Sequence, residues 1–325
     1  MVHEVLRYRK YKEKFKLHEL LPLSWIRIHG IRPVYRDIAL PFSRTRWISY
    51  ADIPYDYTLQ ILYEDLSRSY PDGYVLRGCT PSTGTFFFER SCMTLRTGAE
   101  AVLELNRSHL ERKTVLGSLA RGARQGEVTE ILMNEANQHH FEQFRRETKH
   151  AHKPQLRHLF RENPSRACRC FVFRSCSGQW LAAITLSARG LTEVHTELML
   201  RHRSAPGDIM ESLVAGIFEI LKSEGFLEWS LGEVPFMMLM QNPEEPLTPI
   251  EQLMVSLVSN WKHVYDFEGL YRFKNKFAPL WRPVMLCTNR NLSPFMLAQL
   301  AVSMGFTDIL THESFGMFRQ SLISV

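Results

Sequence analysis

Cations and aromatic rings are concentrated between positions 265 and 283, where the sequence reads YDFEGLYRFKNKFAPLWRP. Within this stretch Arg272, Lys274 and Lys276 alternate with aromatic side chains. In a strand or an extended loop, the alternation would place the cations on one side and most of the rings on the other. Three cations that cannot neutralise one another form a surface suited to phosphate or carboxylate. A solvated face over the edge of a core is the alternative interpretation of this spacing.

Glu233 is an acidic candidate in the second half of the chain. It follows a short strand predicted at residues 229–231, and functional residues of open α/β sheets often lie at strand ends. Its carboxylate could bind the amine of a donor or act as a base. The alternative interpretation is a solvated carboxylate in a loop.

Asp208 stands at the start of a helix predicted at residues 208–224, after the loop RSAPGD. In acyltransferases that use acetyl-CoA, backbone amides and a helix N-terminus hold the pyrophosphate. Here Pro206 lacks an amide donor, and Asp208 puts a carboxylate where a phosphate would lie. A cofactor with a pyrophosphate, such as acetyl-CoA, is therefore disfavoured at this helix, and no cofactor is predicted.

The composition is that of a globular protein that can bury a sizeable core, with 45% hydrophobic and 23% charged residues. A length of 325 residues suggests two domains. The formal net charge of +6 favours acidic partners such as nucleic acid or an anionic lipid surface. No run approaches the roughly 18 apolar residues that span a bilayer, and no signal peptide is recognisable. We therefore expect a cytoplasmic protein that could lie peripherally on the inner face of the membrane.

Metal binding is not predicted from the six cysteines. Cys168 and Cys170 lie in an alternating run that reads as a strand, and no second pair of ligands follows at a matching spacing. Residues 1–21 carry six lysines and arginines among apolar residues. As a helix this segment could lie on an anionic membrane or against tRNA, or it could pack on the body with a solvated basic side.

The elements that must position these residues alternate between strands and helices in both halves of the chain. The third strand of the second half, at residues 192–200, is expected to place Glu193, His195, Glu197 and Met199 on one face. Strands followed by a helix, twice over, indicate an α/β protein with two similar lobes. Strands are predicted at residues 73–76, 85–90, 101–105, 127–132, 169–174, 180–187, 192–200 and 229–231, and helices at 57–69, 108–125, 134–150, 208–224, 249–262 and 293–303.

Three stretches, in the same order, resemble the C-terminal, soluble aminoacyl-transfer domain of bacterial phosphatidylglycerol lysyltransferases. Residues 97–126 resemble its G-x-E-A segment and basic helix, and residues 203–232 resemble its A-P-x-x-x-M loop, long helix and S-L-G strand. Residues 265–283 resemble its K-x-K-F and P-x-W-x-P signature. The resemblance implies an α/β fold of two tandem GNAT-type acyltransferase lobes, each a mixed sheet flanked by helices. The implied divisions are a basic N-terminal extension (1–50), a first lobe (51–150) and a second lobe with the site (151–325).

The resemblance also implies a set of site residues. Glu197 matches the aspartate of the family's D-L-M-R strand, whereas the arginine of that motif is Leu200 here and is followed by Arg201. Lys274 and Lys276 match the family's paired lysines, and we expect them to bind tRNA phosphate or to polarise the ester. The predicted catalytic residues are Glu197, Glu233 and Lys274, and the predicted substrate-binding residues are Arg201, Asp208, Arg272 and Lys276.

The function implied by the resemblance is transfer of an aminoacyl group from aminoacyl-tRNA to a hydroxyl or amine acceptor, without a covalent enzyme intermediate. Phosphatidylglycerol is the acceptor in the best-known relatives. The alternative is a non-catalytic or repurposed member that binds tRNA, an anionic lipid headgroup or another protein. The loss of family arginines at Leu200 and Val284 favours this alternative, whereas the retained Glu197 and Lys274 favour the transferase. A weaker third option is an N-acyltransferase that uses another activated donor.

Overall fold

A computed structural model describes residues 20–162, 168–237, 246–260 and 266–312. The basic helix predicted at residues 1–21 lies almost entirely outside the described residues. Within the described part of the chain, eleven strands form one mixed sheet with helices packed against it. This arrangement confirms the predicted α/β class with a mixed sheet flanked by helices.

Strands from both predicted lobes belong to this one sheet. Its order is β1-β3-β4-β11-β5-β10-β9-β8-β7-β6, and β2 pairs with β3 outside this path. Strands β10 and β11 come from the predicted second lobe, yet they flank β5 of the predicted first lobe on either side. The strands are β1 (Ile26–Ile28), β2 (Val34–Ala39), β3 (Arg46–Pro54), β4 (Tyr74–Cys79), β5 (Met93–Glu104), β6 (Gly126–Ile131), β7 (Cys168–Ser175), β8 (Trp180–Ala188), β9 (Glu193–Arg201), β10 (Glu228–Pro235) and β11 (Leu280–Thr288).

The helices cover the sheet through apolar stripes. Leu213 and Ile217 of α5 are fully buried in the largest core cluster, whereas Phe141 and Phe144 of α4 belong to a separate cluster. Burial of such side chains stabilises the fold by about 1.5–3 kcal/mol each. The helices are α1 (Leu59–Ser69), α2 (Pro81–Phe88), α3 (Lys113–Gly122), α4 (Glu135–Arg146), α5 (Ile209–Ser223), α6 (Pro249–Asn260), α7 (Phe267–Asn275) and α8 (Pro294–Ser303).

The strand predicted at residues 85–90 is wrong, because this segment belongs to helix α2. Thr80 caps the helix, and its hydroxyl oxygen accepts a hydrogen bond from the Thr83 amide at 3.2 Å. Pro81 occupies the first turn, where its missing N–H has no intrahelical partner to lose. The cap and the proline outweigh the β-propensity of the aromatic run that follows.

The segment with the alternating cations is also helical rather than extended. Asp266 caps α7, since its carboxylate accepts a hydrogen bond from the Gly269 amide at 2.7 Å. With 3.6 residues per turn, positions two apart no longer share a face. Lys274 is therefore buried while Arg272 is exposed, and the predicted common cationic side does not form.

The third predicted feature to change is the start of α3, which begins at Lys113 rather than at Ser108. The cause is His109, which is buried between the end of β5 and the end of α7. Its Nε2 accepts a hydrogen bond from the Glu104 amide at 3.0 Å, and its Nδ1 donates to the Phe277 carbonyl at 2.9 Å. The local bond to Glu104 and the long-range bond to Phe277 hold residues 108–112 outside the helix.

Strand β9 contains a bulge at Glu197. Thr196 pairs with Leu186 of β8 and Leu198 pairs with Thr185, so Glu197 is an extra residue between them. Beyond the bulge the two faces exchange: Met199 packs against the core cluster that contains Val194, whereas Leu198 packs against the α4 cluster. The prediction that Met199 shares a face with His195 is therefore wrong.

Among the described residues, no single helix has the length and apolar composition needed to cross a membrane. Two consecutive helices, Pro294–Ser303 and Phe306–His312, meet those criteria only when they are taken together, and a bend of 74° separates them.

Candidate functional site

Strands β9 and β10 run parallel, but they stay paired only near their beginnings. Trp229 pairs with Val194, and Ser230 pairs with His195. After Ser230 the register of β10 shifts, and β10 continues along β5 while β9 continues along β8. The two parallel strands therefore separate toward their carboxyl ends. Openings of this kind are common binding positions in α/β sheets.

Gly232 lies at this β9–β10 opening in a left-handed conformation, with a φ of 88°. A Cβ atom built at this position would lie 3.5 Å from Lys274 Nζ, 3.7 Å from His195 Cε1 and 3.8 Å from the Thr196 carbonyl oxygen. The glycine therefore allows the positive φ and leaves space between an amine and an imidazole.

Lys274 reaches the opening from α7 and is only 3% exposed. Its Nζ donates a hydrogen bond to the Glu233 carbonyl oxygen at 3.1 Å. Burial lowers the pKa of Lys274 to about 7, although the nearby carboxylates of Glu233 and Glu100 oppose this change. Both the protonated and the neutral form of the Lys274 side chain are therefore populated near neutral pH.

His195 lies at the same place through its ring Cε1 atom, and one of its ring nitrogens has no hydrogen-bond partner. Ser230 Oγ donates its proton to Glu100 at 2.8 Å, so it can only accept from His195 Nδ1, 3.4 Å away. That bond fixes the proton on Nδ1 and leaves Nε2 as a buried acceptor without a hydrogen-bond partner. Burial, with a smaller contribution from the positive charge of Arg189, lowers the pKa of His195 to about 3, so the ring is neutral.

Glu100 is the centre of a buried ionic network beneath the opening. It pairs with Arg189 at 2.9 Å and with Arg282 at 2.6 Å. Burial opposes its ionisation, but the two guanidinium groups outweigh burial and hold the pKa of Glu100 at about 2. None of these three residues was predicted as a site residue. The available signal was an acid inside the apolar run of β5, since isolated charges are rarely buried without partners.

Glu233 lies within β10 rather than in a loop, and its side chain is 5% exposed. It forms an ion pair with Arg77 and accepts a hydrogen bond from Thr97 Oγ1 at 3.1 Å. The interpretation of Glu233 as a solvated loop carboxylate is therefore wrong. The ion pair lies beside Lys274, because that lysine bonds to the Glu233 backbone.

Glu197 points into the packed interior and is 3% exposed. Among the described residues its partners are Ser24 at 2.8 Å, the Arg161 amide at 2.9 Å and the Ser187 hydroxyl. Burial raises the pKa of Glu197, although these hydrogen bonds oppose the rise. The bulge thus directs this carboxylate toward the segments at residues 24 and 161, and the predicted cleft between Glu197 and the cationic stretch is not observed.

Asp208 and Lys276 belong to a second ionic group at the N-terminus of α5. Asp208 pairs with Arg121 at 2.6 Å, and the hydrogen bond from Arg121 holds the pKa of Asp208 at about 2. Lys276 pairs with the buried Glu211 at 2.6 Å. These bonds connect α3 and α7 to the first turn of α5.

The two predicted arginines lie elsewhere. Arg201 ends β9, six residues beyond His195, which corresponds to about 20 Å along a strand. Arg272 is exposed on α7. The structure therefore brings Lys274 and Glu233 together, and it leaves Arg201 and Arg272 outside the β9–β10 opening.

Within the described ranges, no group of three or more His, Cys, Asp or Glu side chains is arranged to hold a metal ion. Cys168 and Cys170 are buried side chains of β7. The polar groups of the opening are instead one amine and one imidazole, which can bind a carbonyl oxygen and a hydroxyl or amine proton.

Residues 63–288 match the family model described as phosphatidylglycerol lysyltransferase, C-terminal. The phosphatidylglycerol lysyltransferase of Bacillus subtilis (strain 168) is 30% identical to the chain over 103 residues. The aligned stretch is 31% of the chain and 12% of that relative, so the chain spans only a small part of the relative's length.

Two solved structures resemble most of the chain in fold. L-PGS from Bacillus licheniformis superposes with a TM-score of 0.65 at 17% identity, over 91% of this chain and 94% of that one. The C-terminal DUF2156 domain from Agrobacterium fabrum superposes with a TM-score of 0.61 at 18% identity, over 83% of this chain and 87% of that one. At these identities the likeness concerns the fold, and it confirms the fold class that the resemblance implied.

Proposed function

The chain belongs to the phosphatidylglycerol lysyltransferase C-terminal family, and from this premise we propose that it is an aminoacyltransferase. The donor is an aminoacyl-tRNA, and the acceptor is a hydroxyl or amine such as a headgroup hydroxyl of phosphatidylglycerol. The observation that carries the proposal is the β9–β10 opening, where Lys274 Nζ and the Cε1 edge of the His195 imidazole both lie beside Gly232, and the adjacent Nε2 has no hydrogen-bond partner.

The reaction is transfer of an acyl group from a ribose oxygen of the tRNA to an oxygen or nitrogen of the acceptor. The acceptor oxygen or nitrogen bonds to the ester carbonyl carbon, the bond from that carbon to the ribose oxygen breaks, and the acceptor proton leaves with the ribose oxygen. Lys274 as an ammonium keeps N–H groups beyond its bond to Glu233, and these can stabilise the negative charge on the carbonyl oxygen. His195 Nε2 can accept a hydrogen bond from the attacking group and orient it.

The enclosure of the site also fits this chemistry. Lys274 and His195 are 3% and 1% exposed, so a substrate reaches them only when surrounding side chains move. Exclusion of water strengthens the bonds to the carbonyl oxygen and protects the ester from hydrolysis.

The N-terminus of α5 further supports a donor other than acetyl-CoA. Asp208 and Glu211 put two carboxylates in its first turn, where a pyrophosphate would otherwise bind. Arg121 and Lys276, the cations at this helix end, are already paired with these two carboxylates and are not left to bind a phosphate. The support for aminoacyl-tRNA is thus both the family membership and the absence of a favourable pyrophosphate position at this helix.

A non-catalytic member that binds tRNA, an anionic headgroup or another protein is the second candidate. The burial of Glu197 favours it, because the resemblance had placed this carboxylate in catalysis. A cytoplasmic location, at the inner face of the membrane, is proposed for either candidate.

Transfer is tested by incubating the protein with a mixed pool of labelled aminoacyl-tRNAs and a lipid extract. We expect label in the organic phase, with a rate proportional to the protein concentration. If tRNA binds but no label reaches any acceptor, the transferase is excluded and the second candidate stands.

A Gly232→Ala variant is expected to lower the rate of transfer by about ten- to a hundredfold. The new methyl group would occupy the space between Lys274 Nζ and His195 Cε1, at 3.5 and 3.7 Å. The methyl group would lie at ordinary van der Waals distance from both atoms, so it would act by holding the substrate away from them. A displacement of reacting groups by about 1 Å can cost about a hundredfold. The measurement is a comparison of kcat and KM.

Gly178→Ala is the matched control for Gly232→Ala. Gly178 has a φ of 85°, and an added Cβ there meets nothing within 4 Å. Both variants carry the same backbone strain of about 1–2 kcal/mol, but only Gly232→Ala places a methyl group in the β9–β10 opening. Equal rates in the two variants would remove the opening from the proposed site.

A further inference from the structure

A basic surface lies at the C-terminal end of α4, separate from the β9–β10 opening. Here residues 145–157 run alongside the segment that follows β9. The Lys149 amide donates a hydrogen bond to the Arg201 carbonyl at 3.1 Å, and the Arg203 amide donates to the Glu147 carbonyl at 3.1 Å. We call residues 145–157, together with Arg201 and Arg203, the α4 basic surface.

The charge density of this surface is unusual for the molecule. Residues 145–157 contain five lysines and arginines and one glutamate, and Arg201 and Arg203 add two further cations. The resulting formal charge of +6 equals the net charge of the whole chain. Neighbouring acids reduce it only in part, since Glu162 lies 3.7 Å from Arg145 and Asp308 pairs with Arg157.

Several of the cations are close enough to act on one imidazole that lies among them. Burial lowers the pKa of His150, and the positive charges of Lys149, Lys153 and Arg201 lower it further. Like charges brought together in this way raise the free energy of the folded protein slightly. A polyanion would relieve this repulsion, because it would place negative charge among the cations.

A cleft in this surface has the dimensions of a small binding site. Its volume is about 330 Å³, and its lining includes Arg145, Arg146 and Gln155. Arginine presents planar sets of donors that match phosphate oxygens. Glu142 also lines the cleft and limits its affinity for a single isolated anion.

The polar character of the surface distinguishes RNA from a membrane as its partner. No large hydrophobic side chain is exposed between residues 133 and 157, all of which the structure describes. Peripheral membrane surfaces combine cations with apolar residues that enter the acyl region. Phosphate contacts of nucleic acids instead use lysine, arginine and polar side chains without apolar ones.

We propose that the α4 basic surface binds the phosphate backbone of the tRNA whose aminoacylated end enters the β9–β10 opening, an inference that rests on the proposed function. Arg201 and His195 lie about 20 Å apart along β9. That distance corresponds to about six phosphates along one strand of a duplex. The surface therefore positions the tRNA body, while Lys274 and His195 act on its 3′ end.

The test is the triple variant Arg146→Ala/Lys149→Ala/Arg203→Ala, in which all three side chains are exposed. Binding of bulk deacylated tRNA is measured by filter retention between about 50 and 200 mM salt. A plot of the logarithm of the binding constant against the logarithm of the salt concentration has a negative slope. Each lost phosphate contact makes this slope less steep by about 0.9. For the triple variant we expect a slope that is less steep than that of the wild-type protein by about 2 to 3. We also expect weaker tRNA binding at every salt concentration.

The matched control is Arg32→Ala/Arg44→Ala/Arg68→Ala, which removes the same charge from exposed positions elsewhere. An equal loss of tRNA binding in the control would overturn the proposal, because net charge alone would then explain it. The proposal would also be overturned if the triple variant kept tRNA binding but lost binding to phosphatidylglycerol vesicles.

The two proposals fail in distinguishable ways. If the wild-type protein transfers label but the triple variant binds tRNA normally, the α4 basic surface is excluded and the proposed function stands. If tRNA binding depends on the surface but no transfer occurs, the surface stands and the transferase is excluded.

Discussion

A Lys274→Met variant is expected to transfer aminoacyl groups about 10²–10³-fold more slowly than the wild-type protein, while its free energy of unfolding rises. The loss follows from removing a preorganised donor that stabilises the charge on the carbonyl oxygen. The gain follows from replacing a buried amine, 3% exposed, with an apolar chain of similar length. Rates are measured with saturating tRNA, and stability is measured by urea unfolding.

The pH dependence of kcat shows which protonation state of Lys274 acts in the reaction. Because burial lowers its pKa to about 7, the ammonium is lost as the pH rises through that value. If the ammonium stabilises the transition state, kcat falls above about pH 7, and the descending limb is absent in Lys274→Met. A wild-type rate that instead rises through pH 7 would contradict this role and would assign the neutral amine as a base.

The free energy of unfolding of the wild-type protein has the opposite pH dependence to kcat. The folded-state pKa lies below the ordinary lysine value of 10.5, so between about pH 7 and 10 the unfolded chain binds a proton that the folded chain does not. The free energy of unfolding therefore rises with pH across this window. Lys274→Met should lack this rise, and an unchanged slope would show that Lys274 is not buried as described.

A Glu100→Ala variant is expected to lose about 3–5 kcal/mol of unfolding free energy, because it leaves the buried Arg189 without its counter-ion. Arg282 also loses a partner but keeps Glu228 at 3.2 Å. Arg189 is 1% exposed, and the side chain of Arg282 is 20% exposed. Since these residues join β5 and β11 to the end of β8, the loss should affect the whole sheet. Urea unfolding at pH 7 measures the effect.

The control for Glu100→Ala is Glu130→Ala, which removes a carboxylate paired with Arg169 at 2.7 Å on the surface. Exposed pairs contribute about 0–1 kcal/mol, so the control should change stability little. The depressed pKa of Glu100, about 2, predicts a contribution that is complete above about pH 4.5 and lost as the pH falls through 2. Equal losses in the two variants at pH 7 would contradict the buried network.

Local patterns predicted many of the elements correctly. Helix α5 and the β7–β8 hairpin lie within a few residues of their predicted bounds, because an apolar period or a tight turn specifies each of them locally. Local signals also existed where the predictions were wrong. Thr80 before Pro81 and Asp266 before a helix-compatible run are both cap signatures.

The candidate site was only partly predictable. Lys274 and Glu233 were predicted from the sequence and lie together, whereas Glu197 was predicted as catalytic but is bonded to the segments at residues 24 and 161. A single bulge in β9 makes that difference, and a bulge depends on how β8 pairs. Lys276 is similarly committed to Glu211, 65 positions away in the chain.

The sequence by itself determined the α/β class, most helices and strands, and the presence of a conspicuous lysine near the end of the chain. Only the tertiary structure decided which groups share the β9–β10 opening, since Glu100, His195 and Lys274 come from three distant parts of the chain. Their burial, the fixed imidazole tautomer and the lowered pKa of the lysine arise from contacts between these parts. The physical reason is that helix periods and caps depend on neighbours along the chain, whereas desolvation and strand separation depend on packing across the sheet.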